Sequence, residues 1–425
     1  MDSVSINALT EINIAMSETQ QAFTLISSQQ KFNAILVAAL CVVTAGSYVT
    51  LSGLLTSQLI EELGWSSLNT TFGITVNMIL YGATAPFAIH LMEKHGIKKI
   101  VIASLVILLA GALVCTLNSK IIFNLAWGVL VGLGCGALTM SFGALFARSW
   151  FEKTGLPTGI LTACSVTGQF VLLPMWAKLA DEFGWRAPLI GCVVLTLITV
   201  LIVCLLLNEK LSAVRTVTAH HIKPNSTFND VFISLKGFVK CKKFWVIALA
   251  FGMCGATTNG LMWSSFTPAA SLEGISVAES SYLLLIIGLL NIPGTIGAGW
   301  LSDKINKQAL LAVIFFLRGA SLICLPFILS HPVGWELIAF AVVFGVFDVA
   351  TVPPVITLCN HIFGDQGPSA FSWINVAHQV GAGLVAFLGG LIAFMTGSYF
   401  ALWFIAGGIC FIAAVIVLSP YHGEQ

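Results

Sequence analysis

Residues 299–308 read GWLSDKINKQ and close a long uncharged run by placing Asp303, Lys304 and Lys307 within five positions. Residues 90–99 read HLMEKHGIKK and do the same with Glu93, Lys94, Lys98 and Lys99 after another apolar run. Shifting the chain by 210 positions lays Glu93-Lys94 on Asp303-Lys304, Leu91 on Leu301, and Gly64 of ELGWSSL on Gly274 of LEGISVA. Register and order agree, so the two charge knots mark equivalent turns in two copies of one unit.

What surrounds the knots fixes their setting. Only 9% of the 425 residues are Asp, Glu, Lys or Arg, and 57% are hydrophobic; a soluble chain carries about 25% charged residues. The composition is that of an integral membrane protein. A net charge of +1 gives no general attraction to nucleic acid. A bilayer core about 30 Å thick takes roughly 20 apolar residues per helix. On that rule spans lie near 34–57, 68–92, 99–117, 120–147, 155–179 and 187–208, then near 243–268, 279–302, 308–330, 333–359, 366–395 and 398–419. Backbone groups in lipid must be paired within the chain, and no short alternating segments suggest a barrel. The expected fold is all-α: 12 transmembrane helices in two pseudo-symmetric six-helix bundles.

The division expected from this reading is a tail over 1–31, a bundle over 32–208, a linker loop over 209–242, a second bundle over 243–419 and a short tail over 420–425. Basic residues orient it. Lys31, Lys94, Lys98, Lys99, Arg148, Lys153, seven cations of the linker, Lys304 and Lys307 fall on one side, fifteen of the nineteen. Lys120, Lys178 and Arg186 fall on the other, and Arg318 is mid-span. Both termini are expected in the cytoplasm. The first thirty residues lack a cationic start with an apolar core, so no secretory signal is read there. Ten of the eleven cysteines lie in apolar runs, Cys241 being outside, and none forms a C-x-x-C pair; reduced packing thiols are expected, with no metal site.

GWLSDKINK resembles the major facilitator superfamily signature G-x-L-x-D-[RK]-x-G-[RK]: Gly299, Leu301, Asp303, Lys304 and Lys307 match, and Asn306 replaces a glycine. The first copy is weaker, with Glu93 for aspartate and Ile89 for the first glycine. The resemblance implies that Glu93, Lys94, Asp303 and Lys304 form a conformational latch, bonding helix ends across the two halves; a plain positive-inside anchor is the simpler alternative. ELGWSSLNTTFGI, SWFEKTGLPTGILTACSVTG, EFGWRAPL, TTNG and HQVGAG are similar to the bacterial monocarboxylate and oxalate/formate branch. Three departures matter. Gly128 stands in the fourth span where many proton-linked members have arginine. The fifth span lacks the G-x-x-x-G-P core of drug/proton antiporters, which disfavours multidrug efflux. The eighth and eleventh spans hold no Lys or Arg where oxalate-transporting relatives place a cation, which disfavours a strongly anionic solute.

Ionisable groups inside a span are costly and are functional candidates. At 1.5 Å per residue, Arg318 lies about 15 Å, Asp348 about 16 Å and His378 about 18 Å from the same membrane face, near the midplane. Arg318 and Asp348 read either as a buried ion pair or, with Arg318, as a carboxylate clamp. Asp348 reads as proton carrier or structural partner. His378 carries a coupled proton or donates one bond inside the bundle. Tyr48, Asn77, Tyr81, Asn124, Gln169 and Asn259 complete the candidate solute and proton pathway, Tyr48, Asn77 and Asn259 first among them; each also reads as interhelical glue. Trp127, Trp263 and Trp373 are expected at lipid or at the interface. Pro86, Pro174, Pro293, Pro326 and Pro353-Pro354 are expected to interrupt helices, the last pair next to Asp348.

These features point to a secondary transporter: a symporter of a small organic solute, expected to be a carboxylate, with a proton as co-substrate. An exporter of a carboxylate-bearing metabolite or siderophore and a non-transporting membrane sensor are the alternatives. No P-loop, nucleophile elbow or metal cluster suggests an enzyme. No cofactor is expected, a proton gradient being the driving force. The expected surroundings are a bacterial cytoplasmic membrane, a monomeric state and no nucleic acid.

Overall fold

The computed structural model describes residues 27–65, 67–151, 153–207, 228–329 and 332–418. Residues 1–26 of the expected first tail, linker residues 209–227 and the expected short tail over 420–425 lie outside them. Among the described residues, eleven stretches are long and apolar enough to cross a bilayer. One of them, running from Trp335 to Ala393, holds two spans that meet at Gly364, where a φ of 55° lets the chain reverse. The count is therefore twelve helices, six on each side of the linker.

Spans one to six are Ser28–Leu63, Ser67–His95, Ile97–Cys115, Lys120–Trp150, Gly155–Phe183 and Arg186–Leu206. Spans seven to twelve are Lys242–Leu272, Val277–Ser302, Lys307–Ile328, Trp335–Asp348 with Val352–Phe363, Gly367–Thr396 and Phe400–Leu418. Gly64 and Gly274, the pair matched by the repeat, both turn with positive φ, 62° and 80°. In the charge knots Gly96 has φ 93°, whereas its counterpart Asn306 takes φ −62° and caps the ninth span by accepting from the Gln308 and Ala309 amides. The missing glycine of the second copy is thus replaced by a helix cap.

Several expectations are corrected here. The linker is not all loop, since Phe228–Phe238 is a helix. Phe228, Val231, Phe232, Leu235 and Phe238 recur at helical spacing and give it one apolar face. Phe232 packs on Phe87 of the second span and on Trp373 of the eleventh, so the helix lies across the seam between the halves. Pro86, Pro293 and Pro326 sit inside continuous helices, where neighbouring helices tolerate the lost bond. Pro174 and Pro353-Pro354 instead start helical segments, where no amide donor is needed. Trp127 is buried in the first bundle, and Trp263 and Trp373 take part in ring contacts between the halves, so none of the three is a lipid anchor.

The halves touch backbone to backbone. A Cβ on Gly155 would lie 2.5 Å from the Gly299 carbonyl, and one on Gly299 would lie 2.5 Å from the Gly155 carbonyl. Glycine there lets the fifth and eighth spans close without intervening side chains. At Gly82 the second span instead receives the Gln379 side chain of the eleventh, whose Cβ would lie 2.8 Å from a Cβ placed there.

Candidate functional site: a midplane cavity closed toward the linker face

The charge knots act at the linker face. Asp303 accepts hydrogen bonds from the Gly155 and Leu156 amides, both at 3.3 Å, at the start of the fifth span in the other half. An anion at a helix N-terminus is favoured there. Beside it Arg148 of the first half donates to the Gly364 carbonyl and to Asp365 of the second, and Asn360 donates to Thr154 at 3.3 Å. The other members of the expected latch differ. Lys304 lies 3.6 Å over the ring of Trp300 in its own half, Lys94 is exposed, and Glu93 has Arg148 as its electrostatic neighbour.

Toward the midplane, Tyr81, Gln169, Asn259, Asp348 and His378 line one cavity together with Cys254, Trp263 and Gln379. Tyr81 and Gln169 come from the first half and the others from the second. The space is tight: about 20 Å³ is open to the centre of a water-sized sphere, room for a water or two. Trp263 stacks on Phe170 across the halves with ring centroids 3.8 Å apart. Gln169 and Asn259 sit in π-helical turns, Thr167–Val171 and Thr258–Met262. Such turns insert one residue into a helix and recur at functional sites. Thr50 donates at 2.6 Å to the Gln169 carbonyl, satisfying a backbone group in the π turn.

Four candidates stand elsewhere. The Tyr48 hydroxyl pairs with Thr196 at 2.9 Å inside the first bundle. Asn77 donates at 2.7 Å to the Trp127 carbonyl, within the π turn Ala126–Val131. Asn124 accepts from the Gly73 amide at 3.0 Å and donates to the Lys120 carbonyl at 2.9 Å. These three tie helices of their own half together. Arg318 is fully buried behind the cavity.

The expected Arg318–Asp348 ion pair takes a different form. The tenth span breaks after Asp348, where the Val352 amide turns to the Val349 carbonyl instead of that of Asp348. Arg318 fills the gap, donating to the carbonyls of Phe347, at 3.0 Å, and of Asp348. It also donates to Thr351 at 3.3 Å and to the Cys254 sulfur at 3.1 Å. The carboxylate of Asp348 is left to Asn291, whose Nδ2 donates to Oδ2 at 3.2 Å, while Oδ1 is buried without a hydrogen-bond partner among the described residues. His378 donates from Nδ1 to the Phe251 carbonyl at 3.1 Å, which leaves Nε2 as the nitrogen without that bond.

Asn291, Cys254 and Thr351 were not singled out by sequence reasoning. A mid-span asparagine was a signal for the first. A thiol and a hydroxyl in apolar runs gave none. All eleven cysteines are free, but Cys254 is a ligand of a buried guanidinium as well as a packing group.

This arrangement, two six-helix bundles around a shared polar cavity, is that of a multi-pass membrane transporter. The sequence profile of the Major Facilitator Superfamily matches residues 36–330 and 260–423, and the chain belongs to that family. It is similar to YcxA, an uncharacterised MFS-type transporter of Bacillus subtilis, 26% identical over 83% of this chain and 86% of the relative. It is also similar to monocarboxylate transporter 12-B of Danio rerio, 26% identical over 69% of this chain and 66% of the relative, and to human monocarboxylate transporter 12, 24% identical over 69% and 61%. The fold matches the crystal structure of the Escherichia coli fucose:proton symporter with a TM-score of 0.62 at 16% identity, covering 91% of this chain and 99% of that one.

Proposed function

We propose that the chain is a proton-coupled carrier of a small monocarboxylate, loading solute and proton in the midplane cavity. The observation that carries this reading is the buried pair of Asp348, a cavity-lining residue with one carboxylate oxygen lacking a hydrogen-bond partner among the described residues, and Arg318, whose hydrogen bonds hold the break beneath it. Guanidinium stays charged at any working pH. With Asp348 ionised, the empty site is electrically balanced. When Asp348 takes a proton, the charge of Arg318 is left over, and the carboxylate of an arriving solute restores the balance. Proton and anion therefore enter together, because either alone leaves an uncompensated charge in low dielectric.

His378 is the second proton-handling candidate on this wall, and Tyr81, Gln169, Asn259 and Gln379 supply neutral donors for the solute's oxygens. The linker face is the cytoplasmic face in this reading, which the distribution of basic residues supports, and the membrane is the bacterial cytoplasmic membrane. Asp303, Arg148 and their partners hold the halves shut on that side, so the solute departs when those contacts release. The monocarboxylate relatives support the solute class.

The test uses purified full-length protein. In a thermal-shift screen, a monocarboxylate should raise the unfolding temperature while di- and tricarboxylates, amino acids and siderophores do not, since a specific ligand stabilises by mass action. In proteoliposomes, Asp348→Asn should abolish proton-driven accumulation of that acid yet retain counterflow exchange. Accumulation that survives the substitution removes Asp348 from the role.

A further inference from the structure

The amide of Asn291 is held from two sides. Its Oδ1 accepts from the Val349 amide at 3.0 Å, and its Nδ2 donates to Asp348 Oδ2 at 3.2 Å. A backbone amide is only a donor, so the oxygen of the side chain must face Val349 and the nitrogen must face Asp348. The orientation is dictated by the break in the tenth span, which frees the Val349 amide. Asn291 is itself fully buried on the eighth span.

From this we infer that Asn291 is a positioning residue that decides which oxygen of Asp348 carries the proton. Oδ2 accepts from an obligate donor, and the C=O oxygen of a protonated carboxyl is a better acceptor than its hydroxyl oxygen, so this bond favours the proton on the other oxygen. Oδ1 has no partner and belongs to a residue lining the cavity. Protonation therefore forms the O–H bond at Oδ1, the hydroxyl stands ready to donate to a solute oxygen, and deprotonation returns the proton through the same atom. This rests on the reading of Asp348 as proton carrier. The other charged or titratable groups facing Asp348 are Arg318 on the ninth span, Cys254 on the seventh, Cys410 on the twelfth, and His378 and Tyr81 across the cavity. Asn291 is the neutral group among its neighbours that bonds the carboxylate directly.

The test is infrared difference spectroscopy of the purified full-length protein in lipid vesicles, recorded across a pH step without solute. A protonated-carboxyl C=O band should appear in the native protein and vanish in Asp348→Asn. In Asn291→Leu the band should move to higher frequency, because the C=O loses its donor. Its titration midpoint should rise by roughly one to two pH units, because that donor favours the ionised form. Asn291→Ala, which removes the donor with less steric change, guards against misfolding of the leucine variant, and should also raise the midpoint. A band that Asp348→Asn removes but that neither Asn291 variant shifts overturns the inference and leaves the proton-carrier reading standing. A spectrum indifferent to Asp348→Asn overturns both.

Discussion

The fourth span interrupts its helix at Leu138 and Thr139, between Gly132–Ala137 and Met140–Trp150; 210 residues on, the tenth interrupts its own between Asp348 and Val352. In the first half the break is closed locally and cheaply: Thr139 accepts from the Ser141 amide at 3.3 Å, and Leu138 shares a buried core with Leu108. In the second half the positions of Leu108 and Leu138 are held by Arg318 and Asp348, and the freed backbone groups are taken by Arg318 and Asn291. The same bend can thus be held by a hydroxyl cap or by buried charge. Since the cheaper solution exists in the same molecule, the costlier one fits the proposed role of charge at the cavity.

The strongest way to break this comparison is to make the second half chemically like the first. Arg318→Leu alone should cost about 3–5 kcal/mol of stability, because it strands Asp348 and two carbonyls in a buried site. Arg318→Leu with Asp348→Leu should recover most of that loss in thermal unfolding, yet transport should stay absent. Recovery of transport would show the charge to be scaffolding. Next in size, Gly299→Ala should destabilise the closed linker face by about 1–3 kcal/mol, since its Cβ meets the Gly155 carbonyl at 2.5 Å. Spin labels at Lys153→Cys and Lys304→Cys should then report longer distances.

Asp303→Asn should shift the same distances by a smaller population, about fivefold, for a loss near 1 kcal/mol at the helix terminus. Glu93→Gln should shift them less, because Glu93 makes no direct bond to the second half among the described residues. Equal effects would restore symmetry to the two knots. Smallest of all, Thr139→Val should cost about 0.5–1 kcal/mol in thermal unfolding and leave uptake unchanged.

The gross architecture was legible because hydropathy, basic residues and the 210-residue repeat each sum over many positions. Depth counting brought Asp348 and His378 to one cavity, since helical rise is nearly constant. Tyr48 and Asn77, chosen as polar groups in helices expected to face the cavity, bond within the first half, because facing depends on rotation about the helix axis as well as on depth. The π turns that carry Gln169 and Asn259 leave no compositional trace, yet they rotate all that follows. Arg318 was found, but its partners were not: only the break after Asp348 exposes the carbonyls that it prefers to the carboxylate. Asn291 was visible as a mid-span amide and became meaningful only once the free Val349 amide was located.

One consequence follows from the way Arg318 is held. Every hydrogen bond it makes stays within its own half, so in the proposed transport cycle the guanidinium would move as fixed cargo of that half, close to a pivot at the midplane. Carrying a unit charge through the whole membrane field is worth about 2.3 kcal/mol per 100 mV, but a charge near the pivot, balanced by ionised Asp348, crosses little of it. The unloaded carrier should therefore reset without sensing the transmembrane voltage, and its turnover should respond to the pH difference and the solute gradient.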